Sequence, residues 1–350
     1  MKISDLPATP LAALRKGGVI PAHPLALDAD RRLDERRQRA LSRYYLDAGS
    51  IGLAVAVHTT QFEIRDHGLL EPVLSLAAEE ANAHASTPFM VAGAVGKTEQ
   101  AVREAELARS KGYHAVLLGL AAMRDASVDE LIAHCRAVAD VIPVVGFYLQ
   151  TAVGGQPLPY AFWRRFAEIE NVVAIKMAPF NRYRTLDVVR AVIDARAEDR
   201  ITLYTGNDDH IVSDLMTKFT FKRDGAPVSV RIKGGLLGHW SVWTRKAVAL
   251  LEDIHERPDS RSAREWLEFD ARTTDANGVL FDVANDFAGC IACLHEVLRR
   301  QGLLEGTWCL NPDETMGPGQ MEELERICRD YPELNDDAFV AANLERWLSA

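Results

Sequence analysis

No apolar stretch in this chain is long enough to cross a bilayer, which excludes a helical membrane span. The opening Met1-Lys2-Ile3-Ser4-Asp5-Leu6-Pro7 lacks the apolar segment of a secretory signal. Cysteine is scarce: five in 350 residues, at 135, 290, 293, 309 and 328. An odd, scattered set makes no disulfide framework and suits reduced thiols, so a cytoplasmic location is expected. Positive charge is also in deficit, and a net charge of -10 speaks against a general nucleic-acid surface. Cys290-x-x-Cys293 sits in an apolar helical pattern with no second cysteine pair or metal-spaced histidine pair. It reads as two buried helix residues, and no metal site is expected. No Gly-x-Gly-x-x-Gly follows a first strand, which disfavours a dinucleotide-binding sheet. Gly96-Lys97-Thr98-Glu99 lacks the upstream glycine of a phosphate loop, and Thr98 is expected to cap the helix it opens.

What the chain does have is alternation. Short apolar runs at 18–22, 51–57, 89–93, 115–119, 141–147, 172–176, 201–205 and 228–233 read as buried strands. Helical patterns lie between them, at 34–48, 67–85, 98–111, 128–139, 159–168, 184–195, 209–219 and 240–255. Eight strand–helix units predict an α/β fold of the (β/α)8 TIM-barrel type. Residues 1–257 are assigned to the barrel and its site. From 258 to 350 the pattern turns to helices (261–274, 277–300, 319–329, 336–347), a C-terminal extension packed on the barrel. Gly49 and Gly112 follow helices as C-terminal stops, and Ser127 is placed as an N-cap.

A barrel assembles its site at the carboxyl ends of its strands, where several polar residues fall. Lys176 closes the run Asn171-Val172-Val173-Ala174-Ile175 and precedes Met177-Ala178-Pro179. Desolvation there would lower its pKa and leave an amine able to attack a carbonyl. His58-Thr59-Thr60-Gln61 follows the second strand, and its hydroxyls and N–H groups suit a carboxylate. Tyr148 follows the fifth strand and could relay a proton. Gly206 and Asn207 follow the seventh strand, and Gly235 the eighth, offering backbone for close approach.

These residues carry a resemblance. Val91-Ala92-Gly93-Ala94-Val95, Ala108 to Val116, and above all Pro143 to Lys176 make the chain similar to the dihydrodipicolinate synthase / N-acetylneuraminate lyase family of Schiff-base barrels, from about Gly18 to about Gln301. The resemblance implies that Lys176 condenses with the C2 carbonyl of pyruvate or another 2-keto acid, with Tyr148 shuttling protons. It implies that Thr59 and Thr60 hold the keto-acid carboxylate, Thr60 through its hydroxyl, and that Gly206 and Gly235 line the site. No metal and no organic cofactor are implied; a homo-oligomer, dimer or tetramer, is.

The departures shape the functional reading. His58 stands where the family has glycine, so its imidazole is placed in the pocket or in a rebuilt turn. No tyrosine follows the fourth strand, and Val153 occupies the place of a carboxylate-gripping arginine. The second-substrate pocket is therefore expected to be apolar, walled by Leu120, Met123 and Val153, with Arg124, Gln150 and Asn207 as polar contacts and Phe180 at the far side. The leading function is a lyase or aldolase making or breaking a C–C bond to a 2-keto acid, with an aldehyde as second partner. Two alternatives stay open: a dehydratase or deaminase using the same lysine, and a keto-acid-binding sensor or scaffold without turnover.

Overall fold

The computed structural model describes residues 1–349. Its main sheet contains β1 (Val19–Pro21), β2 (Gly52–Val55), β3 (Phe89–Ala94), β4 (Ala115–Leu118), β5 (Val144–Leu149), β6 (Val172–Ala178) and β7 (Thr202–Thr205). An antiparallel hairpin of β8 (Lys218–Arg223) and β9 (Ala226–Arg231) follows, and β10 (Gly234–Leu237) returns to the sheet. The eight sheet strands run parallel in the order β1-β10-β7-β6-β5-β4-β3-β2. A parallel bridge between Ala22 and Ala54, with His23 N donating to Ala54 O at 2.8 Å, joins the two edges into a barrel.

The eighth strand is not where the sequence suggested. Residues 228–233 fall largely in β9, whose Val228 and Val230 are half-buried between exposed neighbours. That period of two marks a ribbon with one wet face. The buried barrel strand is Gly234-Gly235-Leu236-Leu237, hidden from a propensity reading because glycine is poor in strands. The helix expected at 209–219 is correspondingly short, Ile211–Met216. The helix expected at 277–300 is broken. One helix ends at Leu280 and the next runs Cys290–Arg300. Between them Asp282, Asp286 and Phe287 take φ of 54, 53 and 68°, and Asp282 Oδ2 accepts from Gly289 N at 2.9 Å.

Ser127 caps its helix through Glu130 in a capping box, and Gly49 and Gly112 take the left-handed conformation at helix ends. Thr98 differs from expectation. Lys97 is the N-cap, and the Thr98 hydroxyl instead lies 3.0 Å from His134 Nδ1.

Strand alternation sorts side chains into two cores. An inner one, with Ile20, Ala54, Val91, Leu117, Val145, Ala174, Tyr204 and Leu236, fills the barrel. An outer one packs strands against helices and includes Tyr148, Trp163, Ile175 and Met177. The helix Ala8–Lys16 closes the N-terminal end of the barrel, where Leu14 O accepts the Tyr204 hydroxyl at 2.8 Å. The C-terminal helices pack on the helices of the barrel, Asp337–Leu348 against Glu35–Asp47 and Ala263–Leu280 against Ile211–Met216. Tyr44 donates to Asp336 Oδ2 at 2.8 Å, and Gln61 Oε1 accepts from Leu310 N at 2.6 Å. The second bond ties the C-terminal segment to the turn after β2.

Candidate active site

At the carboxyl ends of the strands lies a small cavity of about 50 Å3 with Lys176 in its wall. Lys176 points inward from β6, only 8% exposed. Its stem needs the neighbouring Gly206: a Cβ there would sit 2.6 Å from Lys176 Cε. Its Nζ lies 4.6 Å from the centre of the Phe147 ring, a cation–π distance. Among the described residues nothing hydrogen-bonds to that amine. Burial pushes the Lys176 pKa down, against the pull of the Asp208 carboxylate.

Asp208 is the residue that sequence reasoning passed over. It follows β7, is buried, lines the same cavity, and accepts from His239 N at 3.0 Å through Oδ1. Burial raises its pKa, opposed by that N–H and by Lys176. Amine and carboxyl are thus each pressed toward neutrality while attracting each other as ions, so the free energies of proton on nitrogen and proton on oxygen draw together. The signal was present in Gly206-Asn207-Asp208-Asp209, where the acids read simply as the start of a helix.

His58 and Thr59 line the cavity. Burial, with the Lys176 charge adding to it, takes the His58 pKa down to about 4, leaving a neutral ring edge-on to Phe62 at 5.9 Å. The Thr59 hydroxyl has no partner among the described residues and remains available. Thr60 does not: its hydroxyl donates to His23 O at 2.6 Å and accepts from Val57 N at 3.2 Å. The turn binds itself together with Thr60 and presents Thr59. Gln61 adopts φ +66°, a conformation that favours glycine, and its anchorage to Leu310 holds it there.

Tyr148 is corrected most sharply. A strand turns successive side chains to opposite faces; Phe147 faces inward and Tyr148 outward. The Tyr148 ring packs on Trp163 at 5.2 Å, and its hydroxyl donates to Leu158 O at 3.1 Å and accepts from Leu158 N at 3.2 Å. Phe147, the cross-strand partner of Lys176, stands where a proton-relaying hydroxyl was expected.

Asn207 and Gly235 are also turned away. Asn207 Nδ2 donates to Thr185 Oγ1 at 3.0 Å and Asp214 Oδ2 at 2.9 Å, while Oδ1 accepts from Phe180 N at 3.1 Å. It thereby holds Phe180, at φ +47°, in the cavity wall. A Cβ on Gly235 would strike the outward Trp240 ring at 2.4 Å, so that face belongs to the outer core; Gly238 lines the cavity instead. Val153, Gln150 and Phe180 do border the cavity, whereas Met123 and the exposed Arg124 do not. Phe281, Phe287 and Cys290 complete the wall from the C-terminal region. Cys290 and Cys293 are buried in one helix, and burial pushes both thiols up. Among the described residues no group of three or more His, Cys, Asp or Glu could hold a metal ion, and no helix is long and apolar enough to cross a membrane.

Residues 15–219 match the Dihydrodipicolinate synthetase family. The chain belongs to that family. It is 26% identical to a 4-hydroxy-tetrahydrodipicolinate synthase of Moorella thermoacetica over 55% of its length and 64% of the relative's. It is 28% identical to an N-acetylneuraminate lyase of Citrobacter koseri over 57% of its length and 65% of the relative's. The match thus spans just under two thirds of these curated relatives. The fold is also that of a pyruvate-complexed, chloride-inhibited dihydrodipicolinate synthase from Acinetobacter baumannii, with a TM-score of 0.71 at 17% identity over 90% of this chain and 98% of the other. Family relatives therefore carry both synthase and lyase names, and the architecture is shared where sequence identity is low.

Proposed function

We propose that this protein is a Schiff-base lyase or aldolase acting on pyruvate or another 2-keto acid, with Lys176 as the imine-forming residue. The observation that carries this reading is a buried amine at the end of β6, facing a cavity, with no hydrogen-bond partner among the described residues and a carboxyl nearby. The pyruvate complex of the Acinetobacter baumannii relative supports the choice of substrate class.

In this reading the keto-acid carboxylate lies against the Thr59 hydroxyl and the first N–H groups of the turn after β2, which a short helix leaves free. Neutral Lys176 attacks C2. The carbinolamine loses its hydroxyl as water, with Asp208 supplying the proton. The iminium then acidifies C3, and a base removes that proton to give the enamine; in the cleavage direction the C3–C4 bond breaks instead, as the C4 hydroxyl proton is withdrawn. Asp208 is suited to both duties because burial brings its carboxyl toward the neutral range. Neutral His58 is another group in the cavity able to take or give a proton. Because Tyr148 is held by Leu158, no step is assigned to it.

Phe147 in place of a proton-relaying hydroxyl favours a binding protein without turnover, as do the altered turn after β2 and the absence of a tyrosine after β4. Asp208 answers the first by bringing a carboxyl to the same cavity. Incubation with pyruvate and sodium borohydride, followed by intact mass and peptide mapping, tests the reading. It predicts a reduced pyruvyl adduct on Lys176. No adduct with any 2-keto acid, on folded protein, would overturn it.

A further inference from the structure

The site's surroundings bear on the partner of the keto acid, granted the Schiff-base reading above. A second cavity, of about 350 Å3, adjoins the one at Lys176. The two share Phe147, Leu149 and Val153 as lining. Phe62, Leu120, Ala122 and Leu158 supply more of the second wall. Gln156 is its single polar side chain, and its amide nitrogen is already engaged, donating to Leu120 O at 2.9 Å. No lysine or arginine lines this second cavity, and Lys176 is the only one lining the first. That one cation is consumed by imine formation and by its own keto acid.

A second carboxylate or phosphate would lose its water here and find no counter-charge, which buried ions need. An apolar group would instead gain by leaving water. The cavity adjoins the one that holds the reacting amine, at the same end of the barrel, where the part of a substrate beyond the keto acid would extend. We propose that this cleft is the subsite for an uncharged, apolar group, aromatic or branched aliphatic, carried on the aldehyde that the enzyme joins to or releases from the keto acid. In the forward direction the enamine C3 attacks the aldehyde carbon, the aldehyde oxygen takes a proton, and water releases a 4-hydroxy-2-keto acid from Lys176. The cleavage direction is the reverse, with the same atoms.

The experiment is a competition. The wild type, given pyruvate, is supplied with benzaldehyde, acetaldehyde or the anionic succinic semialdehyde, and the 4-hydroxy-2-keto acids are quantified. Expected is a kcat/KM for benzaldehyde at least about tenfold above acetaldehyde and further above the anion. Ala121→Trp, at the cleft rim, should lower the benzaldehyde-to-acetaldehyde ratio about tenfold or more. Val153→Arg should move preference toward the anion, with melting curves checking that each variant folds. Equal use of benzaldehyde and acetaldehyde, a preference for the anion, or an unmoved ratio in Ala121→Trp would overturn the proposal. So would a dimer by sedimentation that Ala121→Trp dissociates, which would make the cleft a contact between copies. Borohydride trapping in the same samples separates the two readings: adduct without apolar preference defeats only the cleft proposal, while absence of adduct defeats both.

Discussion

The two ends of the barrel are built from the same strands and finished in opposite ways. At the N-terminal end the Tyr204 hydroxyl enters the interior and is met by Leu14 O at 2.8 Å; around it Leu6, Leu14 and Ile20 are apolar and buried. A buried polar atom is tolerated there because it is satisfied. At the carboxyl end Lys176 and Asp208 are also buried, but the amine has no hydrogen-bond partner among the described residues, and burial shifts both groups toward neutrality. One end uses its polar group to fix a plug. The other leaves a buried amine without a hydrogen-bond partner beside a carboxyl, which costs stability and makes the pair available to a substrate.

That contrast can be broken at either end. Lys176→Ala should reduce turnover and keto-acid adduct to background while leaving the chain folded, since the buried amine removed has no hydrogen-bond partner among the described residues and the Asp208 carboxyl left behind can take up a proton; mass spectrometry and calorimetry read the two effects. Asp208→Asn should keep part of the adduct but slow exchange of the pyruvate methyl protons by about a hundredfold or more, measured by NMR in D2O, with the pH profile of exchange losing its carboxyl limb. If the profile were unmoved, Asp208 would be a structural residue only.

Smaller effects come from pH and from the plug. Burial holds His23, His58, His239 and His295 at about 4, below their ordinary 6.5. Between 6.5 and 4 these four histidines bind more protons in the unfolded chain than in the native one, against the opposite contribution of the fewer carboxyls, Asp208 and Glu314, that burial pushes up most, so stability should fall as pH drops from 6.5 toward 4. Melting temperatures across that window check the sign. Tyr204→Phe removes one buried hydrogen bond and leaves Leu14 O unpaired, a loss of about 1–3 kcal/mol with keto-acid trapping unchanged. Smallest of all, Tyr148→Phe should alter exchange rates by less than about threefold, since its hydroxyl serves Leu158.

The barrel was legible because buried parallel strands and amphipathic helices carry distinct periods, and Lys176 because a cation closing an apolar strand is conspicuous. What escaped has particular causes. Phe147 and Tyr148 differ by one residue, and one residue in a strand exchanges interior for exterior; spacing to Lys176 alone could not choose between them. Thr59 and Thr60 divide their roles by the geometry of a single turn, which residue types do not encode. Strand β10 was hidden by two glycines, with the hairpin before it offering a better strand pattern. The walls formed by Phe281, Phe287 and Cys290 depend on where a helical segment far along the chain packs, and no local pattern reports that.

The central claim is that the carboxyl end performs enamine chemistry through Lys176. Its most direct test is exchange of the pyruvate methyl protons for deuterium, followed by NMR with the wild type and Lys176→Ala. The account predicts enzyme-dependent exchange in the wild type and none above background in the variant. A folded wild type that forms the borohydride adduct yet catalyses no exchange would contradict it, and would leave a protein that binds keto acids without activating them.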